Sequence, residues 1–228
     1  MFFLAGYDTT ANELSPYMLL AFRYLLSPNR TWDVNQHLVH PYSYWFSHQK
    51  TTENLMRGYR FPDVIPRVGE RFHLLEEDFM DLLPDHLDAL KTILPPPSVA
   101  TDTPSVRGEP TIVVSKKRSY SYVVTLFFID TSPNILSTLQ QIYDLLQPGG
   151  VWINLGPLLW TSGGQTAMEL SLEEILTAIK MTGFVLDPQG GSGVDDRSRE
   201  VECEYTADPG AMMRWIYLAR FWVARKPA

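Results

Sequence analysis

Phe127-Phe128-Ile129-Asp130-Thr131, followed one helix length later by Pro148-Gly149-Gly150-Val151-Trp152-Ile153-Asn154-Leu155-Gly156-Pro157, is the stretch on which the fold turns. It reads as a buried strand ending in a carboxylate, a helix, a tight Gly-Gly turn and a second buried strand. In an open parallel sheet small ligands bind at the strand ends, so the acid that closes the apolar strand, Asp130, is the first site candidate. Between the two segments, Ile135, Leu139, Ile142, Leu145 and Leu146 recur at near-helical spacing, which predicts an amphipathic helix over Pro133 to Leu146.

Working outward, Tyr122 to Asp130 reads as one long central strand. Upstream, Ser15-Pro16 supplies a cap and a first-turn proline, and Tyr17 to Leu26 has the apolar density of a buried helix. Arg30 to Glu70 has weak periodicity and many aromatics, which suggests a partly helical flap and not a sheet element. Phe72 to Glu76 alternates as a strand, placing Asp78 past its end, and a helix is expected over Asp85 to Ile93. Residues 95–119 begin with Pro95-Pro96-Pro97 and hold the basic triplet Lys116-Lys117-Arg118. That composition cannot bury enough apolar surface to offset chain entropy, so a disordered insertion with a solvated basic loop is expected. Downstream, Ser171-Leu172-Glu173-Glu174 resembles a capping box with Gly183 as the helix stop. Phe184-Val185-Leu186 is a short strand, Gln189 to Glu200 a loop, and Trp215 to Ala224 a final strand preceded by Cys203-Glu204-Tyr205.

Strands alternating with helices, then two terminal strands without a long helix between them, predict an α/β three-layer sandwich. Its sheet is mostly parallel with an antiparallel last strand. The 228 residues, 45% hydrophobic, fit a single domain across 1–228. Met1 to Tyr7 reads as the tail of a helix stopped by Gly6, so an upstream strand and helix, the first of the sheet, are expected to be missing.

The charge balance, 19 basic against 26 acidic residues, has no basic stripe and argues against nucleic acid. No apolar run reaches membrane-spanning length. A lone cysteine, Cys203, fits a reducing compartment, the cytosol or the nucleus. His37, His40 and His48 share a segment without the accompanying ligands of a metal signature. A Gly-x-Ser-x-Gly elbow, a phosphate-binding Gly-Lys-Ser/Thr loop and a Cys-x-x-Cys pair are all lacking, which removes the usual supports for hydrolase, phosphoryl-transfer and redox readings. What stands out instead is three acids at predicted strand ends, Glu13, Asp78 and Asp130. Each alone fits an ordinary solvated loop, but their repetition at one sheet edge favours function. After the second strand of a nucleoside-binding sheet a carboxylate takes both ribose hydroxyls, which suits Glu13, and after the third it can meet the adenine amino group, which suits Asp78.

Asn12-Glu13-Leu14-Ser15-Pro16-Tyr17-Met18, Arg60-Phe61-Pro62-Asp63-Val64, Phe127 to Thr131 and Pro148 to Leu159 occur in the order found in the carnosine N-methyltransferase (N2227-like) family, which the chain resembles. Tyr205-Thr206, Met212-Met213 and Val223-Ala224-Arg225-Lys226 extend the similarity. The resemblance implies a Rossmann-like class I methyltransferase that uses S-adenosylmethionine to methylate an imidazole nitrogen of a histidine-containing dipeptide. It implies that Glu13 holds the cofactor ribose, Asp78 lies at the adenine, Asp130 grips the substrate imidazole, and Tyr205 and Tyr217 line the substrate pocket; apart from the resemblance, the aromatic ring of Trp160 is a further candidate wall that excludes water and favours cationic charge. Where the family has a histidine after its Gly-Pro-Leu-Leu segment this chain has Thr161, a substrate-side position that leaves the acceptor open. The family's glycine-rich cofactor turn, upstream of the stretch matching Phe2 to Glu13, has no counterpart here. Two other readings therefore stand beside the first: a catalytically inactive binding module, and a methyltransferase acting on histidine in proteins.

Overall fold

The computed structural model describes residues 6–82, 119–160, 168–188, 197–205 and 208–228. Its elements are β1 (Thr9–Asn12), α1 (Pro16–Leu26), β2 (His37–Val39), α2 (Thr52–Met56), β3 (Tyr59–Phe61), β4 (Phe72–Leu75), β5 (Tyr120–Leu126), α3 (Ile135–Leu145), β6 (Leu146–Gly156), α4 (Leu172–Thr182), β7 (Val185–Leu186), β8 (Arg199–Tyr205) and β9 (Trp215–Arg225). The architecture is mixed α/β, as the sequence predicts. The helix expected at Asp85 to Ile93, nearly all of the 95–119 insertion and the basic triplet lie outside the described residues. Two compact units emerge, one from the described parts of Met1–Phe79 and Glu204–Trp215, the other from those of Met80–Glu109, Ser115–Cys203 and Ile216–Ala228.

In the first unit β1 and β4 pair in parallel, from Thr9↔Phe72 to Asn12↔Leu75. The Asn12 side-chain amide ties their ends together by donating to the carbonyls of Leu75 (3.3 Å) and Glu77 (2.8 Å). The helix α1 starts at Pro16 as predicted, but it is not a buried helix: none of its residues is buried, and Tyr17 is 84% exposed. Apolar density without a clean 3.6-residue stripe does not specify which face is covered. Among the described anchors of α1 are the stack of Phe22 on Phe72, 5.7 Å apart, and a two-pronged ion pair from Arg23 to Glu76. Residues 30–70 also depart from expectation, since β2 and β3 form an antiparallel pair there. With three residues each these strands are too short for alternation to register; His37 secures them by meeting the rings of Tyr24 and Phe61 at 5.2 and 5.3 Å.

The second unit is built on a five-stranded sheet of order β5-β6-β9-β7, with β8 also on β9. β5 and β6 are parallel, and β9 runs antiparallel to both β6 and β7, so the last strand is the reversed one that the sequence predicts. Ile135, Leu139 and Ile142 of α3 and Ile175, Leu176 and Ile179 of α4 are fully buried, each such side chain worth roughly 1.5–3 kcal/mol of burial. The rings of Trp152, Trp222 and Phe184 complete the core, with Trp152 edge-on to Trp222 at 5.6 Å. Only α4 ends as its sequence directs; α3 ends at Leu145, and Gly149-Gly150, expected as a tight turn that stops it, lie inside β6. Ser171 and Glu174 close a reciprocal capping box, and Gly183 stops α4 with a left-handed φ of 110°. At the end of α3, Lys226 Nζ donates to the carbonyls of Tyr143 and Leu146, both at 2.8 Å.

Two expectations about β5 are corrected. It ends at Leu126, not at Asp130, because Phe127 takes a left-handed φ of 49° that no strand can hold. It is also not central in the described sheet: its one strand partner there is β6, and Tyr122, Val124 and Leu126, which share a face by strand alternation, are exposed.

A buried polar chain crosses β5, β6 and β9. Trp152 Nε1 donates to Thr125 Oγ1 (2.8 Å), Thr125 Oγ1 donates to Asn154 Oδ1 (2.8 Å), and Asn154 Nδ2 donates to the Arg220 carbonyl (3.4 Å). Thr125→Val keeps the shape but strands an indole N–H and an amide oxygen without water. It is expected to cost about 1–3 kcal/mol, read as a lower urea midpoint with an unchanged slope; an unaltered midpoint would mean the chain is not a stabilising network.

Candidate active site

Asp130 owes its place to the way β5 stops. The Phe127 N–H donates to the Leu155 carbonyl at 2.8 Å, holding the chain against β6 as it turns. Gly156 makes room, since a Cβ there would lie 3.2 Å from both the N and the Cα of Phe127. The chain then winds through the short 3-10 turn Ile129–Thr131. Ile129 is sunk in the core, the Thr131 and Ser132 N–H groups fold back onto the carbonyls of Phe128 and Ile129, and Ser132 Oγ bonds Thr138 Oγ1 of α3 at 2.7 Å. The turn is therefore fixed by backbone on one side and by the helix on the other.

Within it Asp130 is only 5% exposed, and its Oδ2 accepts the Leu159 N–H at 3.1 Å. Burial pushes this carboxyl above its usual range, and the N–H groups of Leu159 and of Asp130 itself offset the push only in part. A desolvated carboxylate short of donors gains from any N–H brought to it. Phe127, three residues before, meets the ring of Tyr217 edge-on at 5.7 Å, so the Asp130 turn and a predicted pocket residue of β9 are joined through one aromatic contact. Trp160 donates its indole N–H to the Leu170 carbonyl at 3.1 Å, which gives it a structural task. Thr161 lies outside the described residues.

The other predicted residues belong to the first unit. Glu13 and Asp78 follow the C-terminal ends of the parallel partners β1 and β4, which form a two-stranded sheet of their own, so the described sheets bring two of the three predicted acids to one edge and leave Asp130 beside another sheet. Glu13 Oε1 accepts the Ser15 N–H at 2.7 Å. Tyr205 stacks on Trp215 with ring centres 6.1 Å apart and planes 13° from parallel. The histidines have local partners: His37 bonds Thr31 Oγ1 at 3.0 Å, and His40 bonds the Met56 carbonyl at 2.7 Å. No group of three potential metal ligands occurs among the described residues, and no described helix is long and apolar enough to cross a membrane.

Sequence reasoning missed a second cluster in the first unit. Asp208, its side chain 5% exposed, accepts from Arg57, from Gln49 Nε2 (2.9 Å) and from the Gly210 N–H (2.8 Å). Burial works to raise its pKa, but these bonds and the Arg57 charge outweigh it and hold the carboxyl below its usual range. Gln49 and Asp208 lie 159 residues apart, so no local pattern signals the pair.

Helices alternating with strands, and a sheet in which parallel β5 and β6 meet the reversed β9, define a mixed α/β protein. The family model for carnosine N-methyltransferase matches residues 2–228, and the chain belongs to that family. It is 30% identical to the carnosine N-methyltransferase of Schizosaccharomyces pombe over 96% of this chain and 53% of that protein. It is 28% identical to the mouse carnosine N-methyltransferase over 98% of this chain and 47% of that protein, and 28% identical to carnosine N-methyltransferase unmet of Drosophila melanogaster over 97% and 41%. The chain thus spans about half the length of the curated relatives it matches. A solved SAM-dependent methyltransferase from Methanosarcina mazei aligns over 96% of this chain and 81% of its own, with 11% identity and a TM-score of 0.44, too loose a likeness to add to the family match.

The Asp130 environment gives a pH test. Its folded pKa lies above the ordinary 3.8, so below that pH both folded and unfolded chains are protonated there and no penalty exists. As pH rises, ionisation is harder in the fold, and the penalty grows until the folded pKa is passed. Asp130→Asn is therefore expected to gain melting temperature on the wild type between pH 4 and pH 7 in calorimetric scans, while a gap that shrinks over that range would contradict the burial of an ionising group.

Proposed function

We propose that the chain acts in S-adenosylmethionine-dependent methylation of an imidazole nitrogen, with carnosine or a related histidine-containing dipeptide as the acceptor. The observation that carries the reading is Asp130: an almost fully buried carboxylate, short of donors among the described residues, fixed in the turn that follows a strand. Family membership supports the same chemistry. When bound, the cofactor supplies an electrophilic methyl on a sulfonium. Glu13 and Asp78 fit its ribose hydroxyls and adenine amino group, since a carboxylate accepts two hydrogen bonds at once and both acids lie at one end of the β1–β4 pair.

The acceptor nitrogen must be unprotonated and in line with the bond that breaks. Asp130, accepting the N–H of the other ring nitrogen, sets the tautomer and points the lone pair away from itself. It also increases the basicity of the attacking nitrogen, as carboxylates do when they hold the remote N–H of an imidazole. As the new N–C bond forms, the ring becomes cationic, and the buried carboxylate stabilises that charge more than water would. The ring's remaining N–H proton then leaves toward Asp130. Tyr217, held edge-on by Phe127, supplies an aromatic wall beside the same turn.

Methyl-labelled S-adenosylmethionine offered with carnosine and this chain is expected to label the imidazole ring. Asp130→Asn should lower kcat/KM by about 10²–10⁴-fold, leaving S-adenosylhomocysteine affinity by calorimetry unchanged. Glu13→Ala should instead weaken S-adenosylhomocysteine about tenfold. A wild-type transfer rate in Asp130→Asn would remove the basis of the assignment.

A further inference from the structure

The described part of the loop between β8 and β9, residues 208–214, is fastened along its length to the segment around α2. The Met212 N–H donates to the His48 carbonyl (2.7 Å), the Lys50 N–H to the Gly210 carbonyl (3.2 Å) and Lys50 Nζ to the Pro209 carbonyl (3.2 Å). Asp208 is the member of this set that stands nearest Tyr205 in the chain, three residues after it. Both of its oxygens hold donors: Oδ1 accepts from Arg57 and from the Gly210 N–H (2.8 Å), and Oδ2 from Gln49 Nε2 (2.9 Å). Arg57 is itself held from three further sides. Its Nε donates to the Tyr59 hydroxyl at 3.0 Å, its Nη1 to the Asn54 carbonyl at 2.7 Å, and its guanidinium carbon lies 4.0 Å from the centre of the Tyr42 ring. A fork fixed in this way presents its partner carboxylate with one position and one orientation.

What the loop carries at its two ends is a pair of rings. Tyr205 closes β8, Trp215 opens β9, and the two stack. Trp215 stands edge-on to Trp45 at 5.6 Å, and Trp45 edge-on to His48 at 4.6 Å, the residue whose carbonyl receives the Met212 N–H. The rings and the loop are thus tied to the same segment. Tyr205 and Trp215 are both partly exposed, and with Asp208 and Met213 they line a cavity of about 280 Å³.

We propose that Arg57 and Asp208 are positioning residues for methyl transfer: by pinning the loop they set the stack of Tyr205 on Trp215, and with it the fit of the dipeptide acceptor. The inference rests on the methylation reading, through Tyr205, which the resemblance to the family places in the substrate pocket. With donors of the chain on both oxygens, Asp208 acts through the ring pair and not on the acceptor itself. A wall of this kind touches the acceptor before and during transfer alike, so loosening it raises KM and largely spares kcat. A role in folding alone would do the reverse, lowering kcat with the folded fraction and leaving KM in place.

The test is steady-state kinetics of the full chain with carnosine and methyl-labelled S-adenosylmethionine, with S-adenosylhomocysteine calorimetry alongside. Asp208→Asn is expected to raise KM for carnosine about tenfold or more, with kcat within about threefold and S-adenosylhomocysteine affinity unchanged. Arg57→Met should match it, and the double variant should be no worse than either single one, because the two side chains act as a unit. Gly210→Ala keeps both partners, but its Cβ would collide with Arg57 Nη1; it should raise KM about threefold and decides the matter if the charge variants do not fold. In ¹⁵N spectra without substrate the indole N–H signals of Trp45 and Trp215 should move in each folded variant. The proposal is overturned if KM stays at the wild-type value in folded variants, if the single effects add in the double variant, or if the indole signals do not move. A wild type inert toward carnosine removes the methylation reading and this inference with it, an outcome distinct from an active wild type whose variants keep its KM.

Discussion

The hydrogen-bonded run from Trp152 through Thr125 and Asn154 to the Arg220 carbonyl is the constraint on which the second unit rests. Buried polar groups tolerate one arrangement and penalise the others, so this run selects a register where apolar packing alone would accept several. Thr125 sits opposite Asn154, and Asn154 opposite Trp222. A slip of one residue would turn the threonine hydroxyl to the opposite face and leave the indole, the amide and the carbonyl unpaired together. Apolar burial by α3 and α4 supplies the bulk of the stability, and the polar run decides what is stabilised.

That register reaches the site directly. With Leu126 opposite Leu155, the next N–H along, that of Phe127, falls on the Leu155 carbonyl, and the chain is released into its turn at that point. Three residues past the end of β6 at Gly156, the Leu159 N–H comes back to Asp130. The acid is thus placed by two backbone contacts to one neighbouring strand and its continuation, and its raised affinity for a proton follows from the burial that this placement enforces.

Much of this was legible from residue order. The helices at Pro16, Ile135 and Leu172, the capping box at Ser171 and the reversed last strand follow from caps, periodicity and glycine stops, all local signals. The acids at 13, 78 and 130 are candidates because ligands bind at strand ends in α/β sheets. Local patterns failed where the determining partner is remote. The exposure of α1 depends on what covers it, and apolar composition cannot say. The end of β5 depends on a backbone crossing at Gly156, thirty residues further on. The Gln49–Asp208–Arg57 cluster joins segments that share no periodicity, and only the folded chain brings them together.

Gly156 carries no functional group, yet the clearance it leaves at Phe127 sets how closely the acid-bearing turn can approach its neighbour. Adding even one methyl there would move Phe127 by a few tenths of an ångström and carry Asp130 with it, a shift to which the proposed transfer would be sensitive. The position is a calibration point: a lineage, or a designer, could retune the reach of the carboxylate by altering a residue on the neighbouring strand, outside the turn that bears it.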